Sequence, residues 1–344
     1  QLKKNAPPAL DSVHTLVERG SADMKLALRG NLLRLGPVAP RRFLRILTGA
    51  DPPKFTKGSG RIELAEAITS AENPLTARVF VNRIWMHHFG QALVRTPSNF
   101  GTLGEKPTHP LLLDWLASRF IEQGWSIKQM HRLIMASRTY RLASSDVPDS
   151  SAVDPVNDML WRGNRKRLSA EQIRDSLLMF GGELDLSPGT RHPFPHHLTY
   201  FYRQHEPFNG FFPNNKRSVY MMQQRIKKND QLDLFDGSDG NIPLAERKST
   251  TTTLQALFLM NSEFAHEQAV GIAGRMADLP ADPAARVTWA YQLIFARPPS
   301  QQEIDQAAVY LEEVGTLQEQ DADWQEGAWA GYLRGMISSN EFLF

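Results

Sequence analysis

A polar helical face in residues 73–104 carries side chains that could bind a ligand. Arg78, Asn82 and Trp85 share one face of the expected helix by the i, i+3 and i+4 rule. Arginine and asparagine can offer charge-assisted hydrogen bonds to a carboxylate, a sulfate or a sugar. The same donors can pair with the protein's own backbone, because buried polar groups must be hydrogen-bonded. Both interpretations stay open for the candidate residues Arg78, Asn82, Arg83, Trp85 and His88.

The adjacent histidines of this stretch, His87 and His88, raise the question of a metal site. Neighbouring residues on a helix point about 100° apart, so the pair alone does not form one. A further ligand would be needed, and His109 and His131 are the nearest histidines in the sequence.

An oxygen-rich loop at residues 233–241 is the best metal candidate in the chain. Carboxylate and amide oxygens are the ligands that calcium prefers, although the spacing is not that of an EF-hand. Aspartate and asparagine beside glycine are equally typical of simple turns. The candidate ligands are Asp236, Asp239 and Asn241.

A basic run at residues 162–167 is followed by a second pair of candidates, Arg174 and Asp175. Basic side chains just before a helix start can hold an anion, helped by the free N–H groups there. The alternative is a solvated face in which Arg167 pairs with Glu171. Nucleic acid is not expected, because no wider basic surface with interleaved aromatics accompanies the run.

The segment from about residue 186 to 250 is rich in aromatics and prolines, and we expect it to be irregular. Its aromatic side chains either anchor it to the body or form a platform for a sugar or a partner. Four histidines here do not show a zinc site, because no acidic partner pattern accompanies them. They are His192, His196, His197 and His205.

The elements that would position these residues are mainly helices. Apolar periodicity predicts helices at 61–70, 74–89, from 110 and from 127, and again at 252–260, 262–277, 283–295, 300–314 and 322–338. Capping boxes begin at Ser126, Ser169 and Ser300. The last helix has glycines at 327, 331 and 335, which predict a close helix–helix approach. A strand is expected at Ser218–Gln223.

The fold class is therefore mainly α. Residues 1–60 read as an N-terminal arm with short strands near His14–Val17 and Met24–Leu28, because prolines and turn residues interrupt any helix there. Residues 61–344 form the helical body, with the irregular insert at about 186–250.

Composition and charge exclude several classes of protein. The chain has 344 residues, no cysteine and a net charge of +2, so disulfides, thiolate metal sites and bulk attraction to polyanions are excluded. No apolar run is long enough to span a membrane. The chain begins at Gln1, and we expect a processed product or a fragment of a longer protein.

Several long blocks resemble a planctomycete-type C-terminal domain of unknown function. They are NPLTARVFVNRIWMHHFG, GEKPTHPLLLDWLASRF, WRGNRKRLSAEQIRDSLL, LFDGSDGN and ISSNEFLF. The resemblance implies a large, exported, periplasmic or otherwise extracytoplasmic bacterial protein, whose upstream domains often include a cytochrome-c module. Any c-type haem would belong to that module, because this chain lacks its Cys-x-x-Cys-His motif. The resemblance implies no catalytic residues.

Two functions remain. The first is a non-catalytic scaffold or interaction domain that serves neighbouring domains of the same protein. The second is an extracytoplasmic enzyme or glycan-binding module for acidic or sulfated polysaccharide, with calcium as a candidate ion. They differ in whether the candidate residues converge in one concave pocket.

Overall fold

The protein is mainly α-helical, as the sequence predicts. The computed structural model describes residues 15–18, 20–189, 213–223, 225, 228–317 and 324–344. The chain divides into two compact units, with the boundary between Gly163 and Asn164. The sequence analysis placed no boundary there, and its division at residue 60 stays a prediction.

The first unit begins with a two-stranded antiparallel sheet. Strand β1, Met24–Ala27, pairs with strand β2, Leu35–Ala39, with Met24 opposite Ala39. The turn between them begins with a 3-10 segment, Leu28–Gly30. The arm therefore contains the expected strand at residue 24. Residues 15–17 form no strand, and His14 lies outside the described residues.

Six helices follow in the described part of the first unit. They are α1 (Arg45–Thr48), α2 (Arg61–Thr69), α3 (Thr76–Phe89), α4 (Pro110–Glu122), α5 (Ile127–Met135) and α6 (Pro148–Val153). Helix α3 packs against α4 and α5. Their shared core contains Val81, Leu116, Phe120 and Met130, which are almost completely buried. In this unit, the predicted bounds of the longer helices lie within two residues of the observed bounds. Helices α1 and α6 are too short to show periodicity.

The second unit is a helical assembly around α10. Its helices are α7 (Ala170–Gly181), α8 (Asp230–Leu234), α9 (Thr253–Asn261), α10 (Glu263–Arg275), α11 (Pro283–Phe295), α12 (Gln301–Leu317), α13 (Trp324–Ile337) and α14 (Asn340–Leu343). Helix α10 packs against α7, α9 and α13. The core includes Leu177, Leu259, Ile272 and Leu333.

Helix caps fix where several of these helices begin. Ser169 and Gln172 form the predicted capping box at α7, and Ser300 and Glu303 exchange the same two hydrogen bonds before α12. At α5 only one of the two bonds forms: Ser126 Oγ accepts a hydrogen bond from the Gln129 N–H. These bonds satisfy backbone donors that a helix start leaves free.

The described part of the irregular segment contains no strand. Ser218–Tyr220 is a 3-10 turn, so the strand predicted at Ser218–Gln223 is wrong. Hydrogen bonds from Arg174 and Asp175 to Ser218 hold this turn in place. The four histidines at 192–205 lie outside the described residues. No described helix is both long and apolar enough to cross a membrane.

The close helix approach occurs at a different glycine from those predicted. An added Cβ would meet nothing within 4 Å at Gly327 or Gly335. At Gly331 it would lie 2.6 Å from the Tyr310 hydroxyl of α12, which is the end of a side chain and not backbone. Helices α7 and α10 approach at Gly271 instead, where an added Cβ would lie 2.7 Å from the Gly181 carbonyl oxygen. The contact is with backbone, which cannot rotate away.

Replacing Gly271 with alanine is expected to destabilise the second unit by about 1–3 kcal/mol, the usual effect of overpacking. Gly274→Ala on the same helix is the matched control, because an added Cβ there meets nothing within 4 Å. The control is expected to be neutral or stabilising by up to about 1 kcal/mol. Urea unfolding of both variants measures the difference, and equal stabilities would contradict the close approach.

Candidate functional site

Asn82 lies inside the first unit and pairs with backbone. Its Nδ2 donates to the Val94 carbonyl at 3.1 Å, and its Oδ1 accepts from the Val94 N–H at 2.9 Å. Both residues are buried. The Asn82 side chain therefore satisfies both backbone groups of Val94 and fixes the chain after α3. This is the structural role that the sequence left open.

The other polar residues of α3 have mixed environments. Arg78 donates through Nε to Asp114 at 2.6 Å and through Nη1 to the Pro74 carbonyl. Arg83 is exposed. Trp85 is buried and stacks on Phe89 with ring centroids 4.1 Å apart. Trp85 borders a cavity of about 10 Å³, far below the roughly 300–1,000 Å³ of ligand pockets.

His88 meets a histidine that the sequence analysis considered as a ligand. Its Nε2 lies 2.7 Å from Nδ1 of His131 on α5, a hydrogen-bonding distance. Tyr140 meets the His88 ring edge-on. His109 instead lies beside Thr108. Within the described residues, no group of three or more histidine or acidic side chains is placed to hold a metal ion.

A groove of about 760 Å³ lies on the second unit, and we call it the α7 groove. Its lining includes Glu171, Asp175 and Ser176 of α7 and the segment Arg217–Val219, which we call the first wall. Ser238, Gly240 and Arg247 also line it. This volume lies within the roughly 300–1,000 Å³ of ligand pockets.

Arg174 and Asp175 fasten the first wall of the groove to α7. The buried guanidinium of Arg174 donates to the carbonyls of Asn214 and Lys216 and to the Ser218 hydroxyl. Asp175 Oδ1 accepts from the Ser218 N–H at 2.8 Å and from its hydroxyl at 2.6 Å. Burial lowers the pKa of Arg174, and Asp175 opposes that shift. Arg174 therefore positions the wall, whereas Asp175 also borders the groove.

Glu171 and Arg247 form an ion pair across the groove. Burial of Glu171 favours its neutral form. The hydrogen bond and charge of Arg247, together with hydrogen bonds from the Glu171 N–H and Ser169, outweigh burial and lower the pKa of Glu171. Glu171 is therefore ionised at neutral pH and poorly suited to donate a proton.

The oxygen-rich loop borders the same groove but directs its carboxylates to protein donors. Asp236 accepts from the N–H and hydroxyl of Thr250. Asp239 accepts from Asn241, whose N–H lowers the pKa of Asp239, and also lies 3.6 Å from Lys228. The structure thus brings this loop and Asp175 to one groove, without converging the carboxylates on one point. A calcium site at Asp236, Asp239 and Asn241 stays a prediction.

Arg162 and Arg167, two members of the basic run at 162–167, have different partners. Arg162 lies beside Asp146 in the first unit, at 3.5 Å. Arg167 lies three residues before Ala170, the first residue of α7, and donates to Gln255. The predicted pairing of Arg167 with Glu171 is wrong, because Glu171 pairs with Arg247.

The sequence analysis missed Glu171, Arg217, Ser238 and Arg247 as groove residues. Arg217 follows the irregular segment, where no periodicity assigns it a face. Its place depends on the Arg174 and Asp175 contacts, which join residues about 40 positions apart. Serine next to glycine in the loop gave only a turn signal.

The fold and groove define a mainly α-helical protein with a groove of mixed charge in its second unit. A family model described as PSD1, protein of unknown function (DUF1553), matches residues 60–311. The chain therefore belongs to this family. Comparisons with curated proteins and with solved structures gave no significant match.

Proposed function

We propose that this chain is a non-catalytic scaffold or interaction domain that binds its partner in the α7 groove. The observation that carries the proposal is that both carboxylates lining the groove are already engaged by protein donors. Asp175 accepts two hydrogen bonds from Ser218, and Glu171 is paired with Arg247. Acid–base catalysis favours a group with a pKa near the working pH, and the lowered pKa of Glu171 moves it away from that range.

The setting of this domain follows from the resemblance and belongs to the proposal. It is an exported, periplasmic or otherwise extracytoplasmic part of a bacterial multidomain protein, associated with a cytochrome-c module upstream. The upstream domains are the first partners to test. The chain carries no haem of its own and binds no nucleic acid.

A second candidate is a glycan-binding module or enzyme for acidic or sulfated polysaccharide. The groove favours it because two arginines, Arg217 and Arg247, lie near hydroxyl and amide side chains. Arginine binds carboxylate and sulfate groups with charge-assisted hydrogen bonds. Calcium dependence remains part of this candidate, with Asp236 and Asp239 as its ligands.

The test measures binding and turnover in the same samples. The full chain is titrated calorimetrically with its upstream segment, with polygalacturonate, with dextran sulfate and with neutral dextran, each with and without calcium. Chromatography of the samples then detects any product. We expect saturable binding without product.

A groove-filling variant locates the binding site. Ser176→Trp puts a large side chain into the groove and is expected to abolish binding. Val309→Trp, on the exposed face of α12, is the matched control and should bind normally. Product formation would establish the second candidate as an enzyme, and binding unchanged by Ser176→Trp would exclude the groove.

A further inference from the structure

With the buried Arg174 behind Asp175 counted, the α7 groove has one more positive than negative charge. Asp175 lies beside the buried Arg174, and Glu171 is paired with Arg247. Arg217 is exposed, and its side chain has no ion pair or hydrogen bond to any described residue. One positive charge at the wall is therefore uncompensated.

The position of Arg217 is fixed although its side chain is free. The residues on either side are held by α7, because Arg174 donates to the Lys216 carbonyl at 3.0 Å and Asp175 accepts from the Ser218 N–H. A cation on a fastened backbone loses less conformational entropy on binding than one on a free loop. This is the arrangement of a recognition residue.

The groove also presents hydrogen-bond acceptors. Carboxylate oxygens of Glu171 and Asp175 border it, together with the hydroxyls of Ser176 and Ser238. A ligand that satisfies the whole lining needs an anionic group for Arg217 and several hydroxyl donors for these oxygens. An acidic peptide such as polyglutamate has carboxylates but no hydroxyl donors for Glu171 and Asp175, so repulsion from these two carboxylates is not offset by hydrogen bonds from ligand hydroxyls.

We propose that Arg217 is the specificity-determining residue of the α7 groove and binds the carboxylate or sulfate of an anionic saccharide. The hydroxyls of the same saccharide donate to Glu171, Asp175 and the groove serines. This inference rests on the second candidate function, because it takes the groove as the binding site and an acidic or sulfated saccharide as its ligand. It assigns a role to a residue that the sequence alone did not indicate.

The experiment compares charge-removing variants of the full chain. Oligogalacturonate and sulfated dextran oligosaccharides are the carboxylate and sulfate probes, neutral dextran oligosaccharides are the uncharged probe, and polyglutamate is the acidic peptide. Arg217→Gln is expected to weaken binding of the anionic saccharides at least about tenfold, the usual effect of losing a charge-assisted hydrogen bond. Arg132→Gln removes an exposed arginine of α5 in the first unit and should leave binding unchanged.

The outcomes separate this inference from the proposed function. Loss of binding in Ser176→Trp, with Arg217→Gln unaffected, would retain the groove and overturn the role of Arg217. Tighter binding of polyglutamate or neutral dextran than of the anionic saccharides would overturn the ligand class. Binding that depends on Arg132 and not on Ser176 or Arg217, or no binding of any saccharide, would overturn both the inference and the saccharide candidate.

Discussion

Replacing Arg174 with methionine is expected to destabilise the second unit by about 3 kcal/mol. The substitution keeps much of the buried volume but removes the donors to the carbonyls of Asn214 and Lys216 and to Ser218. Breaking a buried charged network by removing one partner typically costs about 3–5 kcal/mol, and the lower end applies because Asp175 is partly exposed. Urea unfolding gives the free energy of unfolding.

Hydrogen exchange assigns that loss to a region of the chain. Peptides of α7 and of residues 213–223 should exchange faster in Arg174→Met, because the wall of the groove is released. Arg165→Met is the matched control, since Arg165 is exposed, and it should change stability by no more than about 0.5 kcal/mol. An Arg174→Met protein as stable as the control would contradict the fastening role.

Replacing Asn82 with alanine is expected to destabilise the first unit by about 3 kcal/mol. Both Val94 backbone groups would lose their partner while buried, and an unsatisfied buried group costs about 1–3 kcal/mol. Thermal and urea unfolding measure the effect, with the exposed neighbour Arg83→Ala as a control that should change little.

The Asn82 variant also separates the two interpretations of the polar face of α3. A structural role predicts lost stability, together with normal saccharide binding in whatever fraction remains folded. Full stability with lost binding would instead place a ligand site on α3. The buried position of Asn82 and its two backbone contacts lead us to expect the first result.

The helices were predictable because their signals are local. Capping boxes at Ser169 and Ser300 and apolar periodicity set α7 and α12 without knowledge of any distant contact. Short elements such as α8 lacked that signal. The glycine spacing in α13 was misleading, because the close approach depends on which helix faces which, and that is decided at Gly271 and Gly181.

The candidate site was less predictable because non-local contacts assemble it. Asp175 and the loop at 236–241 were selected from the sequence, and both border the groove. Arg217 lies at the groove because Arg174 and Asp175 hold its segment, and Arg247 lies there in an ion pair with Glu171. Likewise, nothing local in the sequence shows that the Asn82 side chain hydrogen-bonds to the backbone of Val94. Neighbouring polar residues of one helix therefore have different environments: Asn82 is buried and bonded to backbone, whereas Arg83 is exposed.

Hydrogen–deuterium exchange of the full chain, with and without saturating sulfated dextran oligosaccharide, tests most directly whether the α7 groove is the binding site. We predict slower exchange in three regions: α7, residues 213–223 and residues 236–247. The first unit should not change. Protection confined to α3, or bound ligand with no protection around the groove, would contradict the assignment.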